Sequence, residues 1–269
     1  MSKSYDLSTN SKWANLADGE HTVKLRAKGA GYGTSSFSNS VTVTKGVVAM
    51  PVKGDLITIE SKQYRVLKIT DTIAEVLSMY DATDSQVFGS SNNTYAGSAL
   101  DTYCNSTFYG TLSSAMKNAI AEKTFRQDSW TADLATSTPI AKYYGTYQPS
   151  NTYRIGLIST TYGASISRKC YVLSCQDVID YLEVTTSMGA ADTTLTSENV
   201  WVMFWNQTTS PGSVCLWLRS AGIEYSTYVF YVSGYNGNLS DNSARVAYAV
   251  RPAFQIDLSK IEWTLVGGG

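Results

Sequence analysis

The chain has 269 residues, with 21 Lys and Arg against 22 Asp and Glu, one His and a formal net charge of -1. Only 16% of its residues are charged, so it carries no broad positive field to gather a nucleic-acid backbone or an anionic membrane. No apolar run reaches the roughly 18 residues of a spanning helix, and Met1 to Asp6 lacks the apolar core of a signal peptide, so the product is expected to be made in the cytoplasm without one.

Residues 1 to 46 read as a small β unit. Tyr5 to Leu7 is a short strand, His21 to Lys28 alternates strictly, and Ser40 to Thr44 alternates again, with Gly29, Gly31 and Gly33 turning the chain between the last two. Three strands are fewer than the roughly seven of a sandwich. Ala17 to Val23, together with Phe37 to Val41, resembles the closing half of the immunoglobulin-like or fibronectin-like repeats common in phage structural proteins. That resemblance implies a partial domain at 1–46, a linker around Lys45 and Gly46, and open strand edges that invite homo-oligomer formation.

The second region, 47–266, opens with a hairpin pattern: Val52 to Ile59, a turn, then Tyr64 to Ile69. A further strand is expected over Ile73 to Met79. Leu100, Tyr103 and Cys104 fall on one helical face, and Ser113 is an N-cap candidate for a second short helix through Ile120. Lys123 to Ser167 is polar and weakly periodic, which predicts long surface excursions. Tyr171 to Ser174 reads as a short strand, and Ser174 as the cap of a helix through Leu182. Val200 to Trp205 is apolar on both faces, as expected of a buried element continued by Val214 to Leu218. Gln255 to Leu258 alternates as a closing strand, and 267–269 is a glycine tail.

The four cysteines, Cys104, Cys170, Cys175 and Cys215, sit inside apolar stretches, where Cys behaves as a small hydrophobe and no disulfide framework is expected. Between Leu216 and Phe254 the choice of residues is unusual. From Ala221 to Ala249 there is no Lys, Gln, Met, Trp, His, Cys or Pro, while Tyr225, Tyr228, Tyr231, Tyr235 and Tyr248 are interleaved with Ser, Asn, Gly and Asp. Binding surfaces use that alphabet, because Tyr gives large amphipathic contact at low rotamer cost and Ser, Gly and Asn give adaptable hydrogen bonds. Ordinary strands and hairpin turns use much of it too.

Val52 to Asp55, Gln63 to Leu67, Leu100 to Tyr103, the Trp217 to Ser220 frame, Gly237 to Leu239 and Val250 to Pro252, in that order, resemble the C-type-lectin-like variable proteins of diversity-generating retroelements, of the phage and gut Firmicutes type. The resemblance implies an α+β fold: a C-type-lectin-like domain with long loops and short helices, preceded by the small all-β immunoglobulin-like fragment. It implies that error-prone copying at adenines diversifies one surface, which excludes Lys, Gln, Met, Trp and Glu at the varied codons. Glu224 departs from that rule and is either fixed or derived from another adenine-bearing codon. Trp217, Leu218, Phe230, Val232, Leu239, Val246 and Val250 would be scaffold. The displayed, ligand-binding set would be Ile223, Glu224, Tyr225, Ser226, Tyr228, Tyr231, Ser233, Tyr235, Asn236, Asn238, Ser240, Asp241, Asn242, Arg245, Ala247 and Tyr248. Arg219 and Arg251, flanked by apolar frame residues, are expected to hold structural partners. The implied partner is a protein or glycan on a target cell surface, met by a protein carried on a virion or cell surface.

Enzymatic function is not expected. His21, the sole histidine, lies in the N-terminal unit, away from any partner for a triad. Asp177 with Asp180 or Glu198 is conceivable as a glycosidase pair, but nothing in the spacing singles them out. Trp205-Asn206-Gln207 has Gln where calcium-dependent lectins place Asp, so neither metal nor cofactor is expected. A fixed carbohydrate-binding domain or a structural virion domain is the other reading.

Overall fold

A computed structural model describes residues 13, 16, 19–24, 36, 38–45, 50–127, 129–131, 157–159, 164–183, 197–206, 214–222, 225–235, 237 and 239–266. The chain divides into two compact units, Met1–Met50 and Pro51–Gly269. In the first, β1 (Gly19–Val23) pairs antiparallel with β2 (Val41–Lys45), with His21 opposite Val43. Glu20 and Thr22 are exposed while His21 and Val23 are half-buried, the period of two that one covered face demands. Trp13 packs edge-on against the His21 ring at 5.6 Å. The expected strand at 5–7, the end of the strand at 25–28 and the glycine turn lie outside the described residues.

The second unit is α+β, mostly strands with a few short helices. Hairpin β3 (Leu56–Ile59) and β4 (Lys62–Thr70) forms as the sequence predicts. Its two turn residues, Glu60 and Ser61, both have positive φ, at 48° and 65°, the backbone a two-residue hairpin requires to match strand twist. Then come β5 (Ile73–Ser78) and β6 (Thr83–Val87). Helix α1 (Ala99–Thr102) runs through a π-helical stretch, Tyr103–Phe108, into a last turn, Tyr109–Thr111. Ser113 caps α2 (Ser114–Ala119), its hydroxyl accepting from the Met116 amide at 3.1 Å.

Four short strands lie where only excursions are expected: β8 (Lys123–Arg126), β9 (Ser129–Thr131), β10 (Leu157–Ser159) and β11 (Ser165–Arg168), after β7 (Ile120–Ala121). In β8, Lys123 and Phe125 are half-buried while Thr124 and Arg126 are exposed, an alternation carried by one aromatic that a polar composition conceals. Tyr171 makes one bridge, to Ala253, instead of a strand. Ser174 caps α3 (Cys175–Leu182) in a full capping box with Asp177. The apolar stretch after it is helix α4 (Ser197–Trp205), with Val200, Met203 and Phe204 buried at helical spacing. The chain closes with β12 (Leu216–Gly222), β13 (Tyr228–Val232), β14 (Leu239–Ser243), β15 (Ala247–Val250), β16 (Ala253–Asp257) and β17 (Thr264–Leu265).

These strands build a six-stranded sheet in the order β17-β3-β4-β5-β16-β7 and a second sheet in the order β10-β9-β12-β13-β14, in which β15 bridges β12 to β6. The buried core is continuous from Ile57, Val66 and Val76 on the first sheet, through Leu100 and Met116, to Leu218 and Val229 on the second. The π-helical stretch places Asn105 so that its amide donates to Cys170 O at 2.8 Å and accepts from Cys170 N at 3.3 Å, tying α1 to the strap that leads into α3. Among the described residues no helix is long and apolar enough to cross a membrane.

Candidate ligand-binding site

Strand β12 is buried along its whole length and carries the frame. Trp217 is 2% exposed and donates its indole N–H to Gln86 O at 2.7 Å. Arg219 donates from Nη1 to Val172 O at 2.9 Å and to Asp177 Oδ2 at 2.5 Å, and its guanidinium lies 4.2 Å from the Phe125 ring centre. Arg251 donates to Asp81 Oδ1 at 2.5 Å and to Phe204 O. Arg65 donates to Met203 O at 3.0 Å and Asn206 Oδ1 at 2.7 Å. Arg65 and Arg251 thus cap the last carbonyls of α4, where cations complement the helix dipole. All three arginines face inward on structural partners.

Register sorts the expected displayed residues. Trp217 faces Tyr231 across β12 and β13, and Tyr231 faces Ser240 across β13 and β14, with Val229 opposite Asn242; directly opposed residues share a face. The Tyr248 ring joins that face, 4.7 Å from both Trp217 and Tyr231, and its hydroxyl accepts from Asn242 Nδ2 at 2.8 Å. Burial pushes the Tyr248 phenol up to about 12. Tyr228, Asp241 and Ser243 lie on the opposite face, with Asp241 Oδ2 3.0 Å and Tyr228 Cβ 3.1 Å from where a Gly222 Cβ would stand. The displayed set therefore divides between two faces of one small sheet.

Tyr225 and Tyr235 are 55% and 66% exposed, and Ser226, Arg245 and Ala247 are exposed as well. Tyr228, Tyr231, Ser240, Asp241, Asn242 and Tyr248 are half-buried. Tyr225 packs on Tyr228 with ring centres 4.7 Å apart. Ser233 is a correction: it is 7% exposed, because the turn after β13 closes over it, Gly237 N donating to Ser233 O at 2.7 Å and Tyr235 N to its hydroxyl at 3.3 Å. Ile223, Glu224, Asn236 and Asn238 lie outside the described residues. Of the scaffold positions, Leu218, Phe230, Val232, Leu239 and Val250 are buried and Val246 is half-buried.

Sequence reasoning overlooked Asn93. It is 3% exposed and its amide donates to Gly222 O at 2.8 Å and Tyr225 O at 3.3 Å, while Gln127 donates to Asn93 O and accepts from Tyr95 N. These two amides brace the backbone that presents Tyr225. In a run of Ser, Asn and Thr, nothing distinguishes this one Asn before the fold is known.

The conceivable acid pair is occupied structurally. Asp177 closes the capping box, pairs with Arg219 and lies 3.5 Å from Lys123 Nζ. Asp180 accepts from Gln176 at 2.6 Å on an exposed helix face. Glu198 falls in α4. Asn206 is engaged by Arg65, and Gln207 lies outside the described residues.

A family model described as Domain of unknown function (DUF6273) matches residues 65–258. No curated protein and no solved structure matches the chain.

Proposed function

We propose, for a chain that belongs to the DUF6273 family of domains of unknown function, that the second unit is a receptor-recognition head: a C-type-lectin-like scaffold with a Tyr-, Ser- and Asn-rich surface that a retroelement diversifies. The observation that carries this reading is a contrast within a few residues. Trp217, Arg219 and Arg251 are buried and bonded inward, while Tyr225 and Tyr235, on the chain between them, stand 55% and 66% exposed. Large aromatic side chains left in solvent beside a buried, inward-bonded frame are the arrangement a recognition surface uses. The alphabet of Ala221 to Ala249 supports the diversification. The partner is a protein or glycan on a target cell, and the first unit, as an immunoglobulin-like fragment, joins the head to a virion or cell surface.

Sequencing the gene across its natural population tests this directly, with codons 47 to 200 as the internal control. Adenine-templated substitutions confined to the interval from Gly222 to Tyr248 are expected. Uniform low variation over both intervals would replace the diversified receptor with a fixed carbohydrate-binding or structural domain.

A further inference from the structure

Beside the tyrosine surface lies a groove of about 780 Å³, within the roughly 300–1,000 Å³ range of small-ligand sites. The segment following β6 forms most of it, with Ser90, Ser91, Asn92, Thr94 and Ser98 in the lining; Ser98 Oγ accepts from Asp101 N at 3.0 Å and Asn92 Oδ1 from Thr94 N at 3.1 Å, which leaves the Ser98 O–H and the Asn92 amide N–H to donate. Arg245 is the one ionisable residue in its lining. Serine and threonine hydroxyls both donate and accept, and the Asn amide does so with separate atoms, so this wall matches vicinal hydroxyls.

Arg245 is held for recognition. Its Nε donates to Ser90 O at 2.6 Å, and among the described residues no carboxylate pairs with it. One edge of the guanidinium is fixed and its terminal nitrogens keep their donors, the planar fork that receives a carboxylate with two parallel bonds. The turn that carries it is strapped to the groove floor, where Phe88 N and Gly89 N both donate to Ala244 O at 3.0 Å.

We infer that this groove is a subsite for a carboxylate-bearing sugar of the uronic or sialic acid type, its acid on Arg245 and its hydroxyls on the Ser and Thr wall. The inference rests on reading this unit as a recognition head and narrows the ligand to an acidic glycan. Asn93, bonded to Tyr225 O from within the same segment, places the groove and the tyrosine surface side by side, so a longer glycan engages both.

The test is titration of the full chain with glucuronic acid, N-acetylneuraminic acid, glucose and a capped glutamyl dipeptide, followed by amide and Arg Nε–H signals in NMR. Saturable shifts at Arg245 Nε–H, Gly89 and Gly97 with at least one acidic sugar, and none with glucose, are expected. Arg245→Gln and Ala96→Trp, the second adding bulk at a lining residue of the groove, should each weaken that sugar at least tenfold, with melting temperature confirming that both fold. Equal response to glucose would overturn the role of the carboxylate, a response to the dipeptide in preference to the sugars would make the groove a peptide site, and no response to any probe would remove the subsite. None of these touches the population sequencing, which decides the receptor reading separately.

Discussion

Asp177 stands where a helix cap and an ion pair with Arg219 of β12 meet. Burial raises its carboxyl, but Arg219 and Lys123 outweigh that and hold it well below the usual carboxylate range. With its folded pKa below the unfolded value of about 3.9, its contribution is fully present above about pH 4 and is lost as pH falls further. Melting temperature is therefore expected to drop on the acid side, and Asp177→Asn should flatten that limb while costing about 3 kcal/mol at neutral pH, because Arg219 stays buried without a carboxylate. Urea denaturation of both proteins from pH 7 down to about pH 2.5 measures both effects. The tyrosines separate on the same scale. Tyr225→Ser and Tyr235→Ser should each change stability by no more than about 0.5 kcal/mol, since both rings are mostly in solvent. Tyr231→Ser should cost about 2 kcal/mol, because it leaves a gap against the Tyr248 and Trp217 rings. A set of equal losses in thermal melts would contradict this division.

At the level of elements, the hairpin turn of β3 and β4 is a place where sequence and backbone disagree. Ser61 adopts a φ of 65° that Gly takes at no steric cost, so Ser61→Gly is expected to stabilise the chain by about 0.5–1 kcal/mol in denaturant melts. Gly234 shows the opposite situation: a Cβ there would run into the Val214 carbonyl, so Gly234→Ala should displace the β13 turn and lower stability by more than about 1 kcal/mol. The β3 and β4 hairpin and the Ser113 and Ser174 caps were legible because each rests on local chemistry, alternation in the one and a hydroxyl before a helix in the others, whereas the scaffold positions of β12 and β13 came from the family resemblance. Strands β8 to β11 were not, since each is only three or four residues long, too short to show a period, and its pairing depends on partners distant in sequence. Val200 to Trp205 was ambiguous because a short apolar run satisfies both periods. Ser233 was misplaced because alternation gives its direction but says nothing of the turn that covers it. Asn93 and the groove were invisible, because small polar residues read alike whether they brace a backbone or face water.

Across the whole molecule, the four thiols make a selective reporter. Cys104, Cys170, Cys175 and Cys215 are all buried and all belong to the second unit. Burial pushes the Cys170 thiol up to about 12 and raises Cys104 and Cys215 as well, which leaves almost no thiolate near pH 7. Labelling by a soluble disulfide reagent is expected to be negligible in native buffer and to follow a single transition in denaturant that belongs to this unit alone. Prompt labelling of one thiol per chain in native buffer would contradict the burial.

The pairing of the second unit's first and last strands also decides how it responds to load. β17 lies antiparallel to β3, with Leu265 opposite Ile57 and Val266 N donating to Leu56 O at 2.9 Å, so the two ends of the unit leave from neighbouring points. Tension applied between those ends loads the hydrogen bonds of a two-residue strand one after another, as in a zipper, and β17 peels first while the other five strands of the sheet keep their pairing. Tension entering through the leading end and leaving through the tyrosine surface bypasses β17. On the proposed reading, a head pulled between its mount and its target would then be stronger than the same unit pulled by its two ends.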